Sequence, residues 1–139
     1  MKQYEYYYNF LRTILDIHHW LARSEQQQLV AGLIIAIVIA FVFMKIAGKL
    51  YYNPRPFVEG SFSPLFPHGA DNGFPSNHSV IAAIMALSLW VYSKRAALFL
   101  IILASLVGLG RVLAGVHHIE DIIGGFLIAG LAVWLAHIV

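Results

Sequence analysis

The chain has 139 residues, of which 60% are hydrophobic and only 12% are charged, and its formal net charge is +2. An ordinary soluble domain carries about 25% charged residues, so this composition predicts an integral membrane protein, with residues 1–139 forming a single domain. So small a net charge gives no support to nucleic-acid binding. The chain has no cysteine, which excludes disulfides, thiolate metal sites and cysteine nucleophiles.

Residues 1–28 are predicted to form an amphipathic helix that lies in the membrane interface. Apolar side chains recur at helical spacing from Tyr7 to Leu21, and polar side chains from Glu5 to Arg23 occupy the other face. The tyrosines and Trp20 suit an interface, and the segment is too polar to span the bilayer. A helix that contacts the bundle is the alternative. No apolar core ends in small residues here, so we expect no cleavable signal peptide.

Four apolar segments follow that are candidates to cross a bilayer, which takes about 20 residues each. They are predicted at about Leu29 to Tyr52, Ser79 to Tyr92, Ala96 to Leu113 and Ile119 to Val139. The second is short, but Pro75 and Ser76 can begin its helix earlier. The predicted fold class is therefore all-α, a membrane bundle of about four spans behind an interfacial helix.

Residues 53–75 hold all five prolines and form the one long irregular segment of the sequence. A backbone without regular hydrogen bonds cannot lie in hydrocarbon, so we expect this segment to be an extramembrane loop. Loops of such length are usually functional.

Basic residues in the short connections predict the orientation. They precede the first span and join the second to the third, at Lys2, Arg12, Arg23, Lys94 and Arg95. An excess of lysine and arginine marks the cytoplasmic side of a cell membrane. The proline-rich loop and the segment from Arg111 to Asp121 then face the extracytoplasmic side. Other basic residues on that side, such as Lys49 and Arg55, are expected of a phosphate site.

Three polar clusters are brought to this outer side by the span count. They run from Lys49 to Pro56, from Phe74 to His78 and from Gly110 to Asp121. Pro75 and Ser76 in the second cluster are typical of a helix start, where free N–H groups bind anions. His78 would point from this terminus toward a bound phosphate and protonate a leaving oxygen.

The third cluster combines a nucleophile with an anion-binding group. His117 and Asp121 are four residues apart and would share one face of a helix. The carboxylate fixes the imidazole tautomer and makes the free nitrogen a better nucleophile. Arg111 offers a planar fork for phosphate oxygens, and glycines at positions 110 and 115 allow a bend that lets both converge.

These residues resemble the three-part signature of the type-2 phosphatidic acid phosphatase superfamily, which includes vanadium haloperoxidases. Its pattern is Lys-x6-Arg-Pro, then Pro-Ser-Gly-His, then Ser-Arg-x5-His-x3-Asp, and the parts occur here in that order between Lys49 and Asp121. There are three departures from it. Five residues, not six, separate Lys49 from Arg55, Asn77 replaces a glycine, and Gly110 replaces a serine. Lys45, one turn earlier, is the reserve candidate for Lys49.

The resemblance implies a role for each residue. His117 attacks phosphorus and becomes phosphohistidine, and Asp121 orients it. His78 protonates the leaving group and then activates the hydrolytic water. The phosphoryl oxygens would be held by backbone amides and by Lys49, Arg55, Ser76, Asn77 and Arg111. The implied scheme needs no metal and no cofactor.

The predicted substrate is a lipid phosphate that stays in the bilayer. The stretches from Arg55 to Val58, Pro67 to Asp71 and Phe74 to His78 resemble the branch that hydrolyses undecaprenyl diphosphate outside the bacterial membrane. Phosphatidic acid and phosphatidylglycerol phosphate are the alternative substrates.

A non-enzymatic bundle that binds haem or a quinone is the alternative of another class. Its candidate ligands are His18, His19, His117, His118 and His137. Such ligation needs histidines at matching depth on facing spans.

Overall fold

The computed structural model describes the backbone of residues 2–138 and the side chains of residues 24–138. Every regular element in that part of the chain is a helix. The helices are α1 (Lys2–Leu50), α2 (Pro56–Glu59), α3 (Asn77–Ser88), α4 (Lys94–Leu113) and α5 (Ile119–Ile138). The all-α membrane fold expected from composition and apolar patterning is confirmed.

The chain divides into two units, Met1–Ala31 and Gly32–Val139. The described part of the first unit is the N-terminal portion of α1. The interfacial placement predicted for residues 1–28 depends on side chains 1–23, which lie outside the described ones. The second unit contains the remainder of α1 and the other four helices. All the residues of the site described below belong to it.

Three helical segments are long and apolar enough to cross a membrane: Ser24–Leu50, Lys94–Leu113 and Ile119–Ile138. The second span, expected from Ser79 to Tyr92, is instead the 12-residue α3, which ends at Ser88. At 1.5 Å per residue it rises about 18 Å, less than the roughly 30 Å of hydrocarbon. Beyond it, Trp90 donates to the carbonyl of Leu87 in an i to i−3 turn. The four-span count therefore stays a prediction.

Small residues let α3 pack closely between its neighbours. Three of its buried side chains form one core with small apolar residues of α1 and α5, and the members are Ala36, Ala40, Val80, Ala83, Ile84, Ala129, Ala132, Val133 and Ala136. A Cβ on Gly125 of α5 would lie 3.2 Å from the carbonyl oxygen of Ser76. Such close contact between small residues is what holds helices together in membranes. It fixes the start of α3 against the first turns of α5, where the polar clusters meet.

Candidate active site

Asn72 joins the end of α1 to the proline-rich loop. Its Nδ2 donates to the carbonyl oxygens of Gly48 and Tyr51, both at 2.9 Å. Its Oδ1 accepts from the backbone N–H groups of Asn53 and Phe74, at 2.9 and 3.0 Å. The amide thereby uses two donors and two acceptor lone pairs on four backbone groups. These four hydrogen bonds hold the segment that leads to Arg55 and Pro56, and the start of α3, close to the end of α1.

Arg55 is a buried cation fixed beside an imidazole. Its Nε donates to Oδ1 of Asp71 at 2.8 Å, and its Nη1 donates to the carbonyl of Val116 at 2.8 Å. Nη1 also lies 3.2 Å from Nε2 of His117. An arginine N–H can only donate, so Nε2 carries the lone pair and the ring proton is on Nδ1. The arginine thus selects the tautomer whose Nε2 carries no proton.

His117 and Asp121 form the predicted pair, with Nδ1 of the ring 3.2 Å from Oδ2 of the carboxylate. Both side chains are buried, with exposures of 4% and 0%. Since α5 begins at Ile119, the expectation that both residues share a helix face is wrong: His117 precedes the helix. The contact arises from the turn into α5. There Oδ2 also accepts from the N–H of His118 at 2.8 Å.

Two glycines allow this arrangement. Gly115 has a φ of +73°, in the left-handed region that glycine favours, and it turns the chain between α4 and α5. Gly110 lies inside α4, so the bend expected from both glycines comes from Gly115. A Cβ on Gly73 would lie 3.0 Å from Oδ2 of Asp121. The loop can approach the carboxylate this closely because position 73 has no side chain.

A cavity of about 530 Å³ opens in front of the imidazole. Its polar lining comprises Lys45, Lys49, Arg55, His68, Asp71, Asn72, Asn77, His78 and His117. Five of the eight predicted site residues therefore share one cavity wall, drawn from α1, the loop, α3 and the turn before α5. Both lysines reach it, and the Nζ of Lys45 lies 5.3 Å from the ring centroid of Phe41.

Ser76 is placed differently from the prediction. It is the N-cap of α3, but its side chain makes no capping bond. It is fully buried, and its Oγ accepts from the hydroxyl of Ser79 at 3.2 Å. Its backbone N–H donates to the carbonyl of Asp121 at 3.1 Å. The hydroxyl therefore does not line the cavity, and the residue connects the start of α3 to α5.

Arg111 lies in the last turn of α4, outside the cavity lining. Its guanidinium carbon is 4.9 Å from the ring centroid of Phe66, in the loop. Its Nε is buried and bonds to no other group among the described residues. A buried guanidinium N–H without an acceptor is rare and costly, and an anion would satisfy it.

His68 is an additional imidazole in the cavity, from the middle of the loop. Its ring centroid lies 6.2 Å from that of His117, in an edge-on arrangement. Burial lowers the pKa of His68, and the positive charges of Arg55 and Arg111 lower it further. A lowered pKa favours a neutral His68 at neutral pH.

The histidines considered for haem ligation do not form a matched pair in the described part of the chain. His117 is engaged by Asp121 and Arg55, and Nε2 of His118 lies 3.1 Å from the carbonyl of Pro54. His137 is in the last turn of α5, about 27 Å along the helix from its first residue. The side chains of residues 18 and 19 lie outside the described ones.

Sequence reasoning did not identify Asn53 or Asn72 as parts of the site. Each asparagine stands beside a proline or glycine, where the residue type is typical of a turn. Apart from Phe74, which is two residues from Asn72, the partners of their side chains lie 19 to 68 residues away along the chain, and local pattern carries no information about such pairs. A useful signal exists nonetheless, because an irregular segment must satisfy its buried backbone groups with side chains.

The sequence is similar to known proteins and matches a family model. The family model described as "PAP2 superfamily" matches residues 28–139. The chain is 32% identical to the bacitracin transport permease protein BcrC of Bacillus licheniformis, over 92% of this chain and 64% of that protein. It is also 32% identical to the undecaprenyl-diphosphatase BcrC of Bacillus subtilis, over 72% of this chain and 48% of that protein. It thus spans about half to two thirds of these relatives.

Two solved structures are similar as well. The crystal structure of Aquifex aeolicus LpxE matches with a TM-score of 0.74 and 26% identity, over 91% of this chain and 76% of that one. A transmembrane PAP2-type phosphatidylglycerolphosphate phosphatase from Bacillus subtilis matches with a TM-score of 0.61 and 28% identity, over 76% of this chain and 55% of that one. The similarity therefore extends across the helices that build the cavity.

Proposed function

The chain belongs to the PAP2 superfamily, and on this basis we propose that it hydrolyses the phosphate ester or diphosphate of a membrane lipid. The observation that carries the proposal is the state of His117. Its Nδ1 faces a buried carboxylate at 3.2 Å, and its Nε2 lies 3.2 Å from an arginine N–H. Nε2 is thereby kept unprotonated, next to a cation that would exchange this hydrogen bond for one to a phosphoryl oxygen as Nε2 attacks.

In the proposed reaction, Nε2 of His117 attacks phosphorus and the bond from phosphorus to the leaving oxygen breaks. His78, on the first turn of α3, gives its proton to that oxygen. The phosphohistidine carries the positive charge of its ring against the carboxylate of Asp121. His78 then accepts a proton from water as the water attacks phosphorus. Free phosphate leaves, and the neutral imidazole of His117 is restored.

The phosphoryl oxygens would be bound by Arg55 and Lys49 at the cavity wall, by Asn77 and by the free N–H groups at the start of α3. Arg111 would complete the set, since its buried Nε has no other partner in the described part of the chain. For Ser76 we propose no contact between its hydroxyl and the phosphate. Its role would be to hold the start of α3, whose backbone N–H groups bind the phosphoryl oxygens. Phosphoryl transfer depends mainly on placing and neutralising these oxygens. In the proposed scheme these side chains and amides do so without a metal or a cofactor.

Undecaprenyl diphosphate is the substrate we propose first. The resemblance of the loop to the undecaprenyl diphosphate branch and the name of the Bacillus subtilis relative support it. A second cavity of about 630 Å³ also touches His117, and its apolar wall includes Phe62, Leu65, Leu113 and Ile119. A prenyl chain could lie against this wall while its diphosphate enters the basic cavity. Phosphatidylglycerol phosphate and phosphatidic acid are the alternatives, the first in keeping with the solved Bacillus subtilis phosphatase.

The test is phosphate release from a panel of lipids by the purified protein in detergent with a chelator present. We expect release from undecaprenyl diphosphate at a higher kcat/KM than from phosphatidic acid or phosphatidylglycerol phosphate. A higher kcat/KM for one of the two glycerol lipids would make that lipid the proposed substrate in place of undecaprenyl diphosphate. Release from none of them, or only after a divalent metal is added, would contradict the proposed reaction.

We propose that the cavity faces the extracytoplasmic side of the cell membrane. The basic pair Lys94 and Arg95 supports this, because it begins α4 at the end opposite Arg111. A protease site inserted between residues 92 and 93 should be protected in intact cells and cut after lysis. A matched site in the exposed loop, beside Gly69, should be cut in intact cells. The reverse pattern would place the active site in the cytoplasm.

A further inference from the structure

Asn53 is a buried side chain that contacts two carboxylates. Its Nδ2 donates to Oδ1 of Asp121 at 2.8 Å and to Oε1 of Glu120 at 3.1 Å. Only 7% of the residue is exposed. An ionised carboxylate accepts hydrogen bonds and cannot donate them, so the NH₂ end of the amide must be the end that faces both. Each of its two N–H bonds therefore has one acceptor.

The amide of Asn53 provides the remaining hydrogen-bond donor to the carboxylate of Asp121, which lies behind His117. Oδ2 of Asp121 takes the N–H of His118 and the ring proton of His117. Oδ1 takes the amide of Asn53, so the two oxygens have separate donors on opposite sides. A fully buried carboxylate oxygen without a donor costs free energy and turns toward whatever donor it can reach. Removal of the amide therefore frees the carboxylate to rotate.

Asn53 is itself held in place by its backbone. Its N–H donates to Oδ1 of Asn72 at 2.9 Å, and its carbonyl accepts from the N–H of Gly73 at 2.8 Å. The side chain is thus presented from a fixed main chain rather than from a free loop. This is the geometry of a group that orients another one.

We propose that Asn53 is a positioning residue for the phosphatase reaction. Its amide holds Asp121 rotated so that Oδ2 faces Nδ1 of His117, which in turn keeps Nε2 unprotonated for attack on phosphorus. This inference rests on the proposed function and adds to it a residue at an unspecified position within the first part of the signature. Asn53 acts through Asp121 and does not itself touch the phosphate.

Asn53→Asp is the diagnostic variant, because it keeps the size of the side chain and removes both N–H donors. The new carboxyl group would lie against two carboxylates, so one proton is shared among them as the pH falls. Once protonated, the group can donate to Asp121 again. We therefore expect activity relative to the unaltered protein to rise at least about tenfold from about pH 8 to about pH 5.

Asn53→Ala cannot regain a donor at any pH. We expect its kcat/KM to fall by about 10- to 100-fold across the whole pH range. Tyr51→Phe is the matched control, because it removes a hydroxyl that contacts the same Glu120 at 3.4 Å and leaves Asp121 untouched. Its activity should stay within about twofold. Thermal unfolding in the same detergent should show all three variants folded.

Three outcomes would overturn the assignment, two of them in the activity of the variants and one in the tautomer of His117. One is a pH profile of Asn53→Asp that has the same shape as that of the unaltered protein, with activity lowered equally at every pH. A role of Asn53 in packing alone would explain that result. The other is full activity in Asn53→Ala. A readout independent of turnover separates this from failure of the proposed function: nitrogen NMR of the His117 ring. We expect one tautomer, protonated at Nδ1, in the unaltered protein and a mixture in Asn53→Ala. An unchanged tautomer in the variant also contradicts the proposal.

Discussion

His117→Ala is expected to abolish phosphate release from every lipid that the unaltered protein hydrolyses, by about 10⁴-fold or more. No neighbour can replace the nucleophile, because the nitrogen that attacks phosphorus disappears with the ring. Arg55 and Lys49 remain at the cavity wall, so binding of the anion is weakened less than its hydrolysis. Phosphate release at saturating lipid measures the loss, and a phosphate-binding assay on the same samples measures the binding that remains.

His137→Ala is the matched control for this experiment. That histidine lies at the far end of α5, where its Nδ1 is 2.9 Å from the carbonyl of Val133. It should leave activity unchanged. Acid-labile phosphate trapped on the protein by a rapid quench should appear in the control and be missing from His117→Ala. Equal activity in the two variants would remove His117 from the role of nucleophile.

The parts of the fold that follow local rules were predictable. Long apolar runs have no stable form in a bilayer except helices, so α4 and α5 begin within two residues of the expected positions. The start of α4 moved from Ala96 to Lys94 because the Oγ of Ser93 accepts from the N–H of Ala96 and caps the helix. The length of α3 was not predictable in the same way. Its apolar residues continue past Ser88, but the chain there forms turns.

The candidate site was predictable where its residues carry chemical signatures. Order and spacing placed Lys49, Arg55, His78 and His117 together, and all four line one cavity. The contacts that support these residues form only when distant parts of the chain meet in the folded protein. Asn53, for example, meets a carboxylate 68 residues further along the chain. Sequence spacing predicted a shared helix face for His117 and Asp121, but the actual contact arises from the turn into α5.

Contacts between distant parts of the chain also determine how Arg55 is oriented and which carboxylate pairs with it. Burial raises the pKa of Asp71, but the hydrogen bond and positive charge of Arg55 lower it by more, so the pKa is below its ordinary value. Asp71 is therefore ionised at neutral pH and holds Nε, while Nη1 faces His117. With Nη1 also donating to the carbonyl of Val116, Nη2 has the weakest contact, 3.5 Å from the carbonyl of Asn72, and would be the nitrogen that binds a phosphoryl oxygen.

Asp121→Asn is expected to lower kcat by about 10³- to 10⁴-fold with the fold retained, which corresponds to about 4 to 5.5 kcal/mol of transition-state stabilisation. The reason is the number of donors that face this position. Asn53, His118 and His117 all direct N–H groups at the carboxylate. An asparagine amide has only one acceptor atom, so its NH₂ group must face at least one of these donors.

The imidazole of His117 is the partner that can adapt, because its proton can move from Nδ1 to Nε2. In the variant Nδ1 would accept from the new amide, and the proton on Nε2 would then face the N–H of Arg55 across 3.2 Å. The lone pair needed for attack is lost, and two donors oppose each other. Steady-state kinetics should show the loss in kcat, and nitrogen NMR should show the ring protonated at Nε2.

Glu120→Gln is the matched control for that substitution, one residue earlier on the same turn. Its exposed carboxylate accepts from Asn53 and Tyr51 but does not contact His117. A glutamine oxygen accepts the same bonds, so the change in kcat should stay within about threefold. If both substitutions lowered kcat equally, the effect would come from charge near the cavity. If neither changed it, the tautomer of His117 would not depend on Asp121, and the arginine N–H at Nε2 would be sufficient to set it.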